Sequence, residues 1–144
     1  MRVTILGCGS SVGVPTLSSG WGACDPANPK NRRRRASILV ETGGKTILVD
    51  TSPDLREQLL AAGSPDIDAV LLTHGHADHT HGLDDLRPLH WRRGAPLPLY
   101  TDQATLTSLR ERFRYLLERV PESPPHFQPP LTAHEIAPGP LAAF

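Results

Sequence analysis

Apolar and polar positions change their spacing several times along the chain, and each change predicts an element. Arg2 to Leu6 alternates weakly and is rich in β-branched residues, which predicts an opening strand. A glycine-rich turn, Gly7-Cys-Gly-Ser-Ser-Val-Gly-Val-Pro15, follows it, and residues 16–35 read as loop, punctuated by Gly20, Gly22, Pro26 and Pro29. Ser37–Glu41 and Thr46–Asp50 predict two strands, with Gly43-Gly44 turning a hairpin between them. A helix comes next: Ser52 offers a cap, Pro53 suits the first turn, Leu55, Leu59 and Leu60 supply an apolar stripe, and Gly63 stops it. Ala69–Leu72 is a short apolar run that predicts a buried strand. A further helix is expected to start at Gly82 and Leu83-Asp-Asp-Leu86. Leu97–Tyr100 is a strand, and Asp102 caps a helix to about Leu117 whose stripe is Leu106, Leu109, Phe113 and Leu116/Leu117. A hairpin first and helices interleaved with strands afterwards predict an α/β layered architecture.

Composition narrows the picture. At 144 residues the chain can bury one core, and a single domain spanning 1–144 is expected. Fifteen basic and fifteen acidic residues cancel, so no global field draws it to nucleic acid or to an anionic membrane. Nucleic acid is therefore not the favoured partner. No apolar run approaches the ~20 residues needed to span a bilayer, and the stretch before Gly7-Cys8 is too short for a signal peptide. A cytoplasmic protein without a membrane partner is expected. Two cysteines, Cys8 and Cys24, make no disulfide framework. Fifteen prolines are about twice average usage, and seven of them fall between Pro121 and Pro140. Residues 121–140 accordingly read as a proline-rich loop.

The chemistry concentrates in Thr73-His-Gly-His-Ala-Asp-His79, which begins where the Ala69–Leu72 strand ends. In an extended segment alternate side chains share a face, so His74, His76 and Asp78 can look into one pocket, with His79 following. Imidazoles and a carboxylate suit Zn²⁺, Mn²⁺ or Fe²⁺. His74 and His76 on one ion, and Asp78 and His79 on another, would hold two divalent metals ~3.5–4 Å apart and supply a bridging hydroxide near neutral pH. Asp78 is the carboxylate expected to take part in catalysis. Against this stands the bland reading of a polar turn with scattered histidines.

The segment resembles the H-x-H-x-D-H signature of the metallo-β-lactamase superfamily. Thr46-Ile-Leu-Val-Asp50 is similar to the strand that ends in that family's bracing aspartate. Gly7–Pro15 and Asn31-Arg-Arg-Arg-Arg-Ala-Ser37 resemble the opening of the branch that holds the phosphoribosyl cyclic-phosphate phosphodiesterases and, further off, the tRNA 3′-processing endonucleases. The resemblance runs to about Tyr100. It implies an αββα sandwich of which this chain carries roughly the N-terminal αβ half. It places His74 and His76 on a first metal, Asp78 and His79 on a second, both Zn²⁺ or Mn²⁺, and Asp50 behind them holding the motif loop. It also implies later ligands, a third histidine, a bridging aspartate and a last histidine. His126 and His134 lack the strand context for those places, so the 144-residue chain alone is expected to be inactive.

Other residues carry weaker signals. His81 and His90 fit the surface or the surroundings of the ligands, and Trp91 the core or a pocket wall. Phosphodiesterase relatives hold a structural zinc on cysteines near Cys24, but one cysteine is too few, and Cys8 between glycines reads as a small packed residue. Arg32, Arg33, Arg34 and Arg35 are either a solvated lead-in to a strand or a phosphate-binding cluster, with alternate side chains allowing at most two to serve the pocket. Three functions stay open on these grounds. The first is a dinuclear phosphodiesterase acting on a small phosphodiester. The second is a thioester or lactone hydrolase of the glyoxalase II kind. The third is a non-catalytic or truncated remnant. The inner face of half a sandwich would lack its cover, so pairing of the chain as a homodimer is also expected.

Overall fold

The computed structural model describes residues 1–137 and residue 139. One six-stranded sheet runs in sequence order through β1 (Arg2–Gly7), β2 (Ser37–Thr42), β3 (Lys45–Val49), β4 (Ala69–Leu71), β5 (Leu97–Thr101) and β6 (Leu131–Glu135). The first three strands are antiparallel, joined at the Gly43-Gly44 hairpin, and β3 to β6 are parallel. Parallel neighbours need crossovers. These contain α1 (Leu55–Ala61), then α2 (Ala77–Thr80) and α3 (Arg87–Arg93), then α4 (Gln103–Arg112) and α5 (Arg114–Leu117). No described helix is long and apolar enough to cross a membrane.

Alternation along the strands gives the sheet two unlike faces. Leu39, Leu48, Val70, Leu97, Leu99 and Leu131 are buried in one core with Leu55 and Leu59 of α1, Leu86 before α3, Leu109 of α4, and Phe113 and Leu116. The opposite face carries a row that crosses every strand, Ile5–Ile38–Val49–Leu71–Tyr100–His134, each residue in register with the next. No helix among the described residues packs there: Ile5 is 68% exposed and Val3 51%. The expected uncovered inner face is thus present.

Several expectations need correcting. Residues 121–130 are irregular, but the proline-rich loop ends at Pro130, because residues 131–135 contain no proline and can pair: β6 lies parallel to β5, and Leu97 N–H donates to the Pro130 carbonyl. Pro138 and Pro140 lie outside the described residues. The last helix is broken at Phe113, whose φ is −127°. The break turns Phe113 into the core while its neighbour Arg112 stays outside on the Gly75 carbonyl. Ser52 does not cap α1. Its buried hydroxyl donates to Gln58 and accepts from the Asp54 N–H, and the helix starts at Leu55. Leu60 points away from the core and is half exposed, its neighbour Leu59 having taken the inward position. Trp91 is also exposed, since His90 holds the inward position on that turn of α3. The helix expected at Leu83 opens as a tight 3-10 turn, Leu83–Leu86, before α3 begins.

Candidate metal centre

The site forms where the parallel strands end. Asp50, directly after β3, has a left-handed φ of 61°, a conformation non-glycine residues rarely adopt but Asp tolerates better than most. The residue is held there on three sides. Its N–H donates to the Leu71 carbonyl, its own carbonyl accepts from the Ser37 hydroxyl, and its side chain is almost wholly buried. That backbone turn aims the carboxylate across the end of β4 at the motif loop.

There it makes three contacts of consequence. Oδ1 accepts from the Thr73 N–H at 2.8 Å, Oδ2 lies 2.8 Å from the Thr73 hydroxyl, and Oδ2 lies 2.7 Å from His79 Nδ1. The His79 contact fixes its tautomer: Nδ1–H donates to the carboxylate, leaving the lone pair on Nε2. The second imidazole is fixed through Thr73. That hydroxyl has one hydrogen, which goes to Asp50, so its oxygen accepts from His74 Nδ1–H at 3.0 Å. One buried carboxylate therefore leaves two outward Nε2 lone pairs, which is the state a metal ligand needs.

The rest of the motif is held by backbone. Asp78 does not lie in an extended segment, as the alternation argument assumed. Chain direction changes at His76, the cap of α2, and Asp78 and His79 occupy that short helix. Thr51 N–H donates to the His79 carbonyl and Gly82 N–H to the Thr51 carbonyl, so the α2 segment is sewn to the residues after β3. A side chain at Gly82 would collide with the Ser52 carbonyl oxygen, which is why glycine stands there. Arg112 Nη2 donates to the carbonyl of Gly75, between two of the histidines, at 2.7 Å.

His74 lies with its ring centroid 4.6 Å from that of His76 and 4.1 Å from that of His79. Asp78 Oδ2 and His79 Nε2 are 3.3 Å apart. Two donor atoms on one tetrahedral ion at about 2.0–2.1 Å stand about 3.3 Å from each other, so this pair has the spacing of a shared ligand edge. The donor set, three imidazoles and a carboxylate, fits Zn²⁺ or Mn²⁺. Among the described residues no group of three or more donors is closed round one point. His126 lies on a different part of the surface, beside α3, and His134 stacks on Tyr100 at 4.9 Å in the uncovered row. His81 packs edge-on against Phe113.

The four arginines are drawn apart. Arg35 makes a two-pronged pair with Asp54, at 2.6 and 2.9 Å. Hydrogen bonding to Arg35 holds the Asp54 carboxyl below its usual range, and the Asp54 bond in turn raises the guanidinium. Arg35 also feels the charge of Asp78, so the cluster borders the motif. Arg34 donates to the Glu57 carbonyl, Arg33 reaches Cys8 Sγ at 3.4 Å, and the Arg32 guanidinium lies over the Trp21 ring. All four line a cleft of about 460 Å³ with the glycine-rich turn from Val12 to Pro15. The sequence reading missed Thr73 as a relay, Asp54 as the group that occupies Arg35, and Arg112 as a clamp. Thr73 sits inside the motif it serves and could have been read. Arg112 stands 37 residues from Gly75, and no local pattern joins them.

Residues 45–143 match a family model described as beta-lactamase superfamily domain. The chain is 39% identical to a protein whose crystal structure is described as a new diphosphatase from the PhnP family, with a TM-score of 0.83 over 99% of this chain and 52% of that one. It is 34% identical to Zn²⁺-bound PqqB from Methylobacterium extorquens, with a TM-score of 0.64 over 77% of this chain and 40% of that one. It is 45% identical over 122 residues to an octanoyltransferase of Porphyromonas gingivalis, covering 84% of this chain but 24% of that protein. The chain thus spans about half the length of the diphosphatase and a quarter of the octanoyltransferase.

Proposed function

The chain belongs to the metallo-β-lactamase superfamily, and from that premise we propose that it carries the metal-binding half of a dinuclear phosphodiesterase site. The observation that carries this reading is the bracing of His74 and His79 by one buried carboxylate, Asp50, which leaves both Nε2 atoms free to bind. His74 and His76 hold one divalent ion, and Asp78 and His79 the other, Zn²⁺ or Mn²⁺. Bound divalent metals supply an acidified water and positive charge for the phosphoryl oxygens. The residues of the chain do the positioning. Asp50 orients His79 directly and His74 through Thr73, and Arg112 holds the carbonyl of the glycine between the paired histidines.

Phosphorus rather than a carbonyl is favoured by the likeness to a diphosphatase over nearly the whole chain and by the arginine-lined cleft, whose Arg35 feels the charge of Asp78. Within that cleft Arg35 and Arg34 already bond Asp54 and the Glu57 carbonyl, so Arg32 and Arg33, whose guanidinium groups meet a ring face and a thiol sulfur, are the two assigned to a phosphate. The octanoyltransferase name is not carried over, because three quarters of that protein have no counterpart here. A small phosphodiester is the proposed substrate.

The test compares the full-length gene product, loaded with Zn²⁺ or Mn²⁺, on bis(p-nitrophenyl) phosphate and on S-lactoylglutathione. Faster turnover of the phosphodiester is expected. A clear preference for the thioester would move the assignment to hydrolysis at carbonyl carbon.

A further inference from the structure

A second cleft, of about 340 Å³, lies between α3 and the 124–130 loop. Its walls are Arg87, His90 and Trp91 on one side and His126, Phe127 and Gln128 on the other. It sits at the far end of the sheet from the motif loop. The Pro130 carbonyl at its edge receives the N–H of Leu97, the first residue of β5, and the next residues of α3, Arg92 and Arg93, bond the carbonyls of Pro65 and Ile67, just before β4. The motif loop follows the other end of β4, and the adjoining five-residue strand β5 is roughly 16 Å long.

Three observations give this cleft a chemistry. First, His90 is only 9% exposed and its Nδ1 is buried with no hydrogen-bond partner among the described residues. Such an atom is costly to leave buried unless something satisfies it. Second, the cleft contains a guanidinium and two imidazoles and no carboxylate. Arg87 has no carboxylate within ion-pair distance among the described residues, and nearby Asp84 is taken by the Tyr115 hydroxyl at 2.5 Å. Third, Trp91 is 67% exposed beneath the Arg87 guanidinium, 5.9 Å from ring centroid to Cζ, and Phe127 lies across the cleft. An exposed tryptophan backed by a cation is a stacking platform for a planar ring.

We infer that the cleft between α3 and the 124–130 loop binds a small organic anion that carries an aromatic ring. Trp91 and Phe127 take the ring, Arg87 takes the anionic group, and His90 gains a partner for its ring nitrogen after rotation about its side-chain torsions. The site is separate from the metal centre and does not depend on it.

The experiment uses metal-free chain with Trp21→Phe, which leaves Trp91 as the sole tryptophan reporter. Phenyl phosphate, benzoate and inorganic phosphate are titrated while fluorescence is followed. Phenyl phosphate, benzoate or both should change Trp91 emission saturably, and which binds tighter tells phosphate from carboxylate. Inorganic phosphate, which lacks the ring, should bind at least about tenfold more weakly than the better of the two. Arg87→Ala should raise that Kd about tenfold, the loss of one charge-assisted bond. His90→Phe should weaken binding without lowering the melting temperature, because removing an unsatisfied buried polar atom is neutral or stabilising. No saturable change up to about 10 mM, beyond the weak end of small-ligand binding, would overturn the inference. So would an unchanged Kd in Arg87→Ala, or a Kd that rises in His74→Ala, which would place the ligand at the motif loop.

Discussion

Oδ2 of Asp50 lies 2.7 Å from Nδ1 of His79, although 29 residues separate them in sequence. The contact exists because Asp50 takes a left-handed backbone conformation at the end of β3 and α2 is bonded through its backbone to the residues that follow. Asp50→Ala should therefore lower metal affinity by about 10–100-fold, the usual effect of losing a group behind a ligand. Asp50→Asn accepts the same backbone conformation and should fall between wild type and Asp50→Ala. Competition with a chromophoric chelator measures both, and equal affinities in all three proteins would refute the bracing role.

The ligand assignment itself predicts that His74→Ala and Asp78→Ala each lower bound Zn²⁺ or Mn²⁺ in the full-length gene product. The two changes strike different ions, so the double variant should lose more than either single one. Elemental analysis of purified protein is the measurement. Unchanged metal content in both single variants would remove these residues from the ligand set.

The Arg35–Asp54 pair should appear as a pH-dependent part of stability. Both side chains are about a quarter exposed, and their bonds are two-pronged. Asp54→Asn should cost about 1.5 kcal/mol at pH 7, the low end for bonds to charged groups. The sign follows from the direction of the shift. The Asp54 carboxyl is held low in the folded chain, so its stabilisation is present above the unfolded value of about 3.9 and fades as pH falls through the lower folded value. Urea titrations of the two proteins should differ at pH 7 and converge toward acid. A gap that stays constant with pH would contradict the pairing.

Gly82→Ala should be among the most damaging single changes in the chain. The added carbon would meet the Ser52 carbonyl oxygen, with Leu55 Cβ at 2.8 Å behind it. Backbone cannot yield as a side-chain tip does, so a loss at or above the usual overpacking cost of about 1–3 kcal/mol is expected. Denaturant midpoints read it, and a near-neutral result would mean the α2 segment can lift away from β3.

The uncovered sheet face predicts self-association. The 144-residue chain should run as a dimer or larger species on size exclusion with light scattering, and Val3→Lys with Ile5→Lys should shift it toward monomer, since both are exposed apolar positions on the edge strand of that face. A monodisperse wild-type monomer would show that this face tolerates water.

Local pattern was enough for much of the fold. Weak two-residue alternation marked β1, Gly43-Gly44 marked the hairpin between β2 and β3, and the short apolar run before Thr73 marked β4, because side-chain direction in these elements depends only on neighbouring residues. The candidate ligands were legible for the same reason: four donors lie within six consecutive residues. The resemblance to a known family supplied Asp50's place behind them. What the sequence did not contain was set by contacts between distant segments. β6 forms because β5 offers an open edge beside it, not because residues 131–135 alternate strongly. Asp78 reaches its place through a helical turn that backbone bonds from Thr51 and Gly82 stabilise. Arg35 was a candidate for phosphate until Asp54, 19 residues later, filled its fork. Arg112 finds Gly75, and His90 Nδ1 is left without a partner among the described residues, only once the helices are packed. Hydrogen bonds and charge pairs of this kind act over a few ångströms in space, and spacing along the chain holds no record of them.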